Sequence, residues 1–202
     1  LIMESSDKKI TAIIGGSKVS SKLDVVSSMI KRCNKIIIGG GMANTFLKAR
    51  GYDVGKSLVE DDLIEKVKIL EEEAKTIGVE LLLPIDVVIS NEFSHNALIR
   101  NIDVGEDCNN WMILDVGTKS ITQNKQHLQN SDIIVWNGPM GVFEIDIFAN
   151  GTKEIALVLS ELAETKTVIA GGGDSIAAIN KYGLADKFTH ISTGGGAMLE
   201  YL

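Results

Sequence analysis

Cysteine is scarce in this chain. Cys33 and Cys108 are the only two in 202 residues; two cysteines without metal-type spacing build neither a disulfide framework nor a zinc site. Both read as reduced thiols of a cytoplasmic protein. The three histidines, His95, His127 and His190, are scattered and read as structural or exposed. No apolar run approaches the roughly 20 residues that span a bilayer. The opening "LIMESSDKKI" lacks the basic and long apolar regions of a signal peptide, so no membrane partner is expected. Positive charge is in deficit, with 20 Lys and Arg against 27 Asp and Glu and a net charge of −7. That balance excludes a broad nucleic-acid surface, which needs excess cations against phosphate. The standard nucleotide signatures are missing too. There is no G-x-x-x-x-G-K-[ST], and "GGGMAN" and "GGGDSI" both fail the third glycine of G-x-G-x-x-G. No Ser or Cys sits in a nucleophile elbow.

What the chain does hold is a series of Ile- and Val-rich runs bounded by turn residues: "ITAIIGG", "KIIIGGG", "ELLLP", "DVVIS", "WMILDVG", "DIIVWNG", "TVIAGGG" and "THISTGGG". Near-continuous apolarity marks strands buried on both faces, as in parallel sheets. Helical patterns lie between them, at 19–30, 61–77, 120–129 and 152–162. Alternation of this kind predicts an α/β fold, a doubly wound and mainly parallel sheet flanked by helices in three Rossmann-like layers. The rival (β/α)₈ barrel typically needs about 250 residues. With no linker or repeat in view, residues 1–202 read as one domain. A start inside an apolar patch and the closing "GGGAMLEYL" suggest a piece of a longer polypeptide.

Glycine, at 20 residues, clusters where the apolar runs end. In open α/β sheets those carboxyl ends line the ligand crevice. Glycines there let backbone N–H groups approach an anion, and the following helix adds its positive N-terminal dipole. "GGSKVSSK" at 15–22 places Lys18 and Lys22 four apart, on one face of the first helical turns. Cations there oppose the helix dipole, so the pair implies a compensating anion, with solvated surface lysines as the bland alternative. In "GGGDS" at 171–175, Asp174 is either an N-terminal helix acid or a Mg²⁺ ligand beside phosphate. Ser175 caps the helix or touches phosphate. In "VWNGPMGVFE" at 135–144, Asn137 offers a donor and an acceptor, Glu144 can accept from sugar hydroxyls, and Phe143 reads as core.

With "GGSKVSSK", "GGGMANTFL", "VWNGPMGVFE", "GGGDSIAA" and "HISTGGGAMLE" in this order, the chain resembles the C-terminal, nucleotide-binding domain of the phosphoglycerate kinase family along its whole length. The resemblance implies reversible phosphoryl transfer between ATP and the carboxylate of 3-phosphoglycerate, a glycolytic reaction using Mg²⁺ with ATP or ADP. It implies that Lys18 and Lys22 contact nucleotide phosphates beside Gly16, with Lys22 near the transferred group, and that Asp174 holds Mg²⁺. Gly171, Gly172, Gly173 and Ser175 would cradle phosphates, Glu144 would bind the ribose, and Asn137 would lie beside ribose and triphosphate. Gly39, Gly40, Gly41, Leu58, Leu114, Pro139 and Val142 would frame the adenine slot, and Thr193 to Gly196 would face the transferred phosphoryl. Two departures stand out. The family usually has glycine where Ile113 stands, so a branched side chain narrows the slot, and proline where Thr118 stands. The phosphoglycerate-binding N-terminal domain has no counterpart in these residues. The chain alone is therefore expected to bind nucleotide without turning over, and the full-length enzyme to be a monomer. A stand-alone nucleotide-binding module is the alternative.

Overall fold

A computed structural model describes residues 8–188 and 190–192. The chain runs β1 (Ile10–Ile14), α1 (Leu23–Ile30), β2 (Lys35–Ile38), α2 (Met42–Ala49), α3 (Ile64–Ile77), β3 (Glu80–Leu82), β4 (Asp86–Ser90), β5 (Ile99–Asp103), β6 (Met112–Val116), α4 (Thr118–Gln129), β7 (Ile133–Asn137), α5 (Asn150–Leu162), β8 (Thr167–Gly171), α6 (Gly173–Lys181) and β9 (His190–Ser192). Six strands form one sheet in the order β3-β2-β1-β7-β8-β9, and every pair in it is parallel. The chain first winds outward from β1 and then returns to its other side through β7, so the sheet is doubly wound with its switch point between β1 and β7.

The apolar runs are continuous because each strand feeds two cores. Ala12 and Ile14 of β1, Ile36 and Ile38 of β2, and Ile133 and Val135 of β7 pack with α1, α2 and α3. Ile13, Ile37, Ile134 and Trp136 point the other way, against α4, α5 and α6. The strand period of two thus deals neighbouring residues to opposite layers. Among the described residues no helix is long and apolar enough to cross a membrane.

Two expected strands join a different sheet. β4 and β6, read from "DVVIS" and "WMILDVG" as parallel strands, lie with β5 in a separate antiparallel sheet ordered β5-β4-β6. The expected helix at 19–30 starts only at Leu23, because residues 19–22 form a turn.

That small sheet also supplies what two helices lack. Neither α4 nor α5 has a side-chain cap of its own. At α4, the carboxylate of Asp86 on β4 accepts the N–H of Lys119 at 2.9 Å, the N–H of Ser120 at 2.7 Å and the Ser120 hydroxyl at 2.7 Å. Asn101 donates to it from β5 at 3.0 Å. At α5, Asp115 on β6 accepts the Gly151 N–H at 2.8 Å and the Val116 N–H at 2.9 Å. Both acids are buried, and each meets orphan N–H groups at a positive helix end.

The two acids differ in their response to pH. Burial pushes the Asp115 carboxyl up to about 7, against the pull of the Gly151, Val116 and Asn150 N–H groups. A raised native pKa contributes stability that is complete below the ordinary carboxylate value and is lost as pH rises through about 7. The swing amounts to roughly 4 kcal/mol at 1.36 kcal/mol per unit. Urea unfolding of the wild-type chain should therefore show lower stability at pH 8 than at pH 5. Asp115→Asn, which cannot ionise, should flatten that difference; equal slopes in the two proteins would refute the assignment.

Candidate functional site

At the carboxyl ends of β1 and β7 three loops lace together. Gly15 N–H donates to Asn137 O at 2.9 Å, Gly16 N–H to Pro139 O at 3.0 Å, Gly40 N–H to Met140 O at 3.0 Å, and Met42 N–H to Gly16 O at 3.0 Å. A Cβ on Gly15 would land on the Pro139 carbonyl oxygen, and one on Gly138, at φ +98°, would land on the Gly15 carbonyl oxygen. Several glycines expected to admit a ligand therefore admit another loop. Gly39 is a clear case: its missing Cβ makes room for the Met140 side chain, and it does not border the cleft described next.

Beside these loops lies a cleft of about 550 Å³. Gly16, Gly40, Leu58, Ile113, Leu114, Pro139, Val142, Glu144 and Asp174 from the expected set all line it. Its wall is mainly apolar, and two exposed acids, Glu144 and Asp174, are part of its lining. Ile113 is buried and its N–H donates to Ser57 Oγ at 2.8 Å. The branched side chain forms part of the wall while also packing into the core behind it.

Lys18 and Lys22 do not share a helix face. Both precede α1, with Lys22 as its N-cap residue. Lys18 is exposed, whereas Lys22 is half-buried and its Nζ donates to Asn137 Oδ1. Burial lowers the Lys22 pKa, and the charge of Asp174 pulls it back up. Asn137 itself is buried, and its Nδ2 has no partner among the described residues. A neutral acceptor orients the ammonium without cancelling its charge, which stays available to an anion.

Helix α6 opens at Gly173 after Gly172, which takes φ +89° with Asn137 just beneath it. Among the described residues no side chain caps this helix, and Gly173 and Asp174 at its start are exposed. Ser175 departs from expectation: it is buried and its hydroxyl accepts the Gly138 N–H at 2.6 Å. It ties α6 to the 137–141 loop. Gly171 is the last residue of β8, paired with Ser192 on β9. Thr193 to Gly196 lie outside the described residues.

Ser17, Gly41, Asn44, Phe93, Met112 and Gly141 complete the lining; of these, the family resemblance implies only Gly41. Asn44 donates from Nδ2 to Leu58 O at 3.3 Å, and its Oδ1 has no partner among the described residues. The available signal was an amide directly behind "GGGMA" and, for Phe93, a lone aromatic in the polar stretch "SNEFSHN".

Comparison with known proteins follows this geometry. The family model described as phosphoglycerate kinase matches residues 1–202. Proteins named phosphoglycerate kinase from Prochlorococcus marinus strain MIT 9515 and Nostoc punctiforme are 54% identical over 202 residues and 51% identical over 201, each match covering 99% of this chain and 50% of the relative. The structure of phosphoglycerate kinase from Coxiella burnetii superimposes with a TM-score of 0.92 at 39% identity, over 98% of this chain and 50% of that one. The enzyme from Pyrococcus horikoshii gives 0.76 at 33% identity with the same coverage. This chain thus spans half the length of the relatives it matches. On the family match and these identities, the chain belongs to the phosphoglycerate kinase family.

Proposed function

We propose that this chain is the C-terminal, nucleotide-binding half of a phosphoglycerate kinase, holding ATP or ADP for Mg²⁺-dependent transfer of a phosphoryl group to or from the carboxylate of 3-phosphoglycerate. The observation that carries the proposal is one juxtaposition. An apolar cleft ends where Lys22, Asn137, Asp174 and the open N-terminus of α6 meet. A base suits the cleft, a ribose suits Glu144 at its mouth, and phosphates suit the lysine and the helix end.

Asp174 fits a magnesium role. Its carboxylate is exposed and lies in the first turn of α6, at the rim of the cleft. Among the described residues no group of three His, Cys, Asp or Glu could hold a metal ion by itself, so phosphate oxygens would complete the shell, the usual arrangement for Mg²⁺. When bound, the ion would neutralise phosphate charge. The chain's own groups orient the polyphosphate: Lys22 supplies fixed positive charge, and the α6 N–H groups face the oxygens. Transfer then depends on positioning and preorganised charge, with no covalent enzyme intermediate. The acceptor site belongs, in this reading, to the remainder of the longer relatives, and this chain alone binds without turning over.

Calorimetric titration with ADP, with and without Mg²⁺, tests the proposal. Mg²⁺ should tighten ADP binding by about tenfold, the scale of 1.4 kcal/mol. Asp174→Ala should erase that gain and leave metal-free affinity in place. A variant that keeps the full Mg²⁺ gain would remove Asp174 from the metal site, and no ADP binding at all would sink the nucleotide reading.

A further inference from the structure

The turn at 18–22 carries both lysines of the phosphate end, yet no side chain within it caps α1. Its support comes from 40 residues further along. Glu60 Oε2 accepts the Ser20 N–H at 3.0 Å. Glu60 is in turn held by α2, since its own N–H donates to Thr45 Oγ1 at 3.2 Å. The residue beside Thr45, Asn44, holds the Leu58 carbonyl. Two successive side chains of α2 therefore fix the 58–60 segment, and that segment grips the lysine turn.

The charge pattern adds a second point. A carboxylate on a backbone N–H just ahead of a helix takes a position that would otherwise suit an anion. The Ser20 N–H is then closed to a ligand phosphate, although it precedes a helix whose N-terminus would favour one. Lys18 stands near enough to feel the Glu60 charge, so an anionic group is built into the turn itself.

We infer that Glu60 is a positioning residue for the phosphate end of the site: it holds the 18–22 turn so that Lys22 reaches Asn137, and it leaves phosphate binding to the lysine side chains and α6. The inference rests on the nucleotide reading above and deepens it. It separates two halves of the site, because the base cleft is built without the Glu60 carboxylate and the phosphate end depends on it.

Adenosine and ADP distinguish the halves. On the 202-residue chain, Glu60→Ala should weaken ADP binding by about tenfold, the scale of a lost hydrogen bond to a charged group, and leave adenosine affinity unchanged. Glu60→Gln, whose amide oxygen still accepts the Ser20 N–H, should recover most of the loss. Without ligand, amide exchange at Ser20 should quicken about tenfold in Glu60→Ala and much less in Glu60→Gln. Equal losses for adenosine and ADP would mean general distortion of the cleft and would overturn the inference. So would unchanged ADP binding in Glu60→Ala, or unchanged Ser20 exchange. A wild-type chain that binds neither ligand would overturn the nucleotide reading and this inference with it, whereas ADP binding equal in wild type and Glu60→Ala would overturn the role of Glu60 alone.

Discussion

Replacing Lys22 by alanine in a full-length phosphoglycerate kinase carrying this sequence should lower turnover by about 10²–10³-fold, the scale of losing one preorganised charge donor at a reacting group. ATP affinity should change by less than about tenfold, since a contact that strengthens mainly in the transition state acts on turnover more than on ground-state binding. The structural basis is the placement of Nζ. Lys22 is half-buried, hydrogen-bonded to a neutral amide oxygen, and within electrostatic reach of Asp174. Half-burial sharpens the field the ammonium projects, because less solvent screens it. Lys18, exposed and without the contact to Asn137 that Lys22 makes, should give the opposite split when changed to alanine, with a modest loss of affinity and little loss of turnover. Steady-state kinetics over a range of ATP concentrations decides between them. Parallel losses in turnover and affinity for Lys22→Ala would make it an ordinary binding residue.

Asp86→Ala should be among the most destabilising single changes in the chain, at about 3–5 kcal/mol. The carboxylate is fully buried and takes four hydrogen bonds from Lys119, Ser120 and Asn101. Removing it leaves buried donors without an acceptor, at about 1–3 kcal/mol each, against a total stability of about 5–15 kcal/mol. Burial pushes the Asp86 carboxyl up, but the Ser120 hydroxyl, the Asn101 amide and the Lys119 and Ser120 N–H groups hold it below its ordinary value overall. A lowered native pKa contributes stability that is present above the ordinary carboxylate value and is lost as pH falls through the native one. The gap between wild type and Asp86→Ala in urea unfolding should therefore be widest near neutrality and shrink in acid, opposite in sign to the trend from Asp115. A gap that does not change with pH would place the cost in packing rather than in the carboxylate.

How far the sequence could be read depends on where the information lies. β1, β2, β7 and β8 were legible because each sends side chains into two cores, which leaves an uninterrupted apolar run. β5, "IRNID", was not: it is an edge strand with only Ile102 buried, so neither apolarity nor alternation marks it. β4 and β6 look like parallel strands in sequence, since apolarity reports burial and says nothing about a strand's partner. α2 is short and almost wholly buried, so no polar face reveals its period. In the site, residue types were legible and geometry was less so. Val19 continues the apolar spacing of α1, which makes a turn look like helix, and the residue holding that turn is 40 positions away. Glycines showed where backbones come close, but not whether a ligand or a neighbouring loop fills the space.

The two strand acids that cap α4 and α5 have a consequence for how the chain acquires its structure. Their hydrogen bonds span sequence separations of up to 36 residues, so the buried first turns of both helices draw acceptors from distant strands. Short helices are marginal in water without tertiary support, and a long loop must close before a distant acid can contribute. The layer containing α4 and α5 should therefore consolidate together with the pairing of β4 and β6 rather than ahead of it, and folding should be slowed by contacts so distant in sequence.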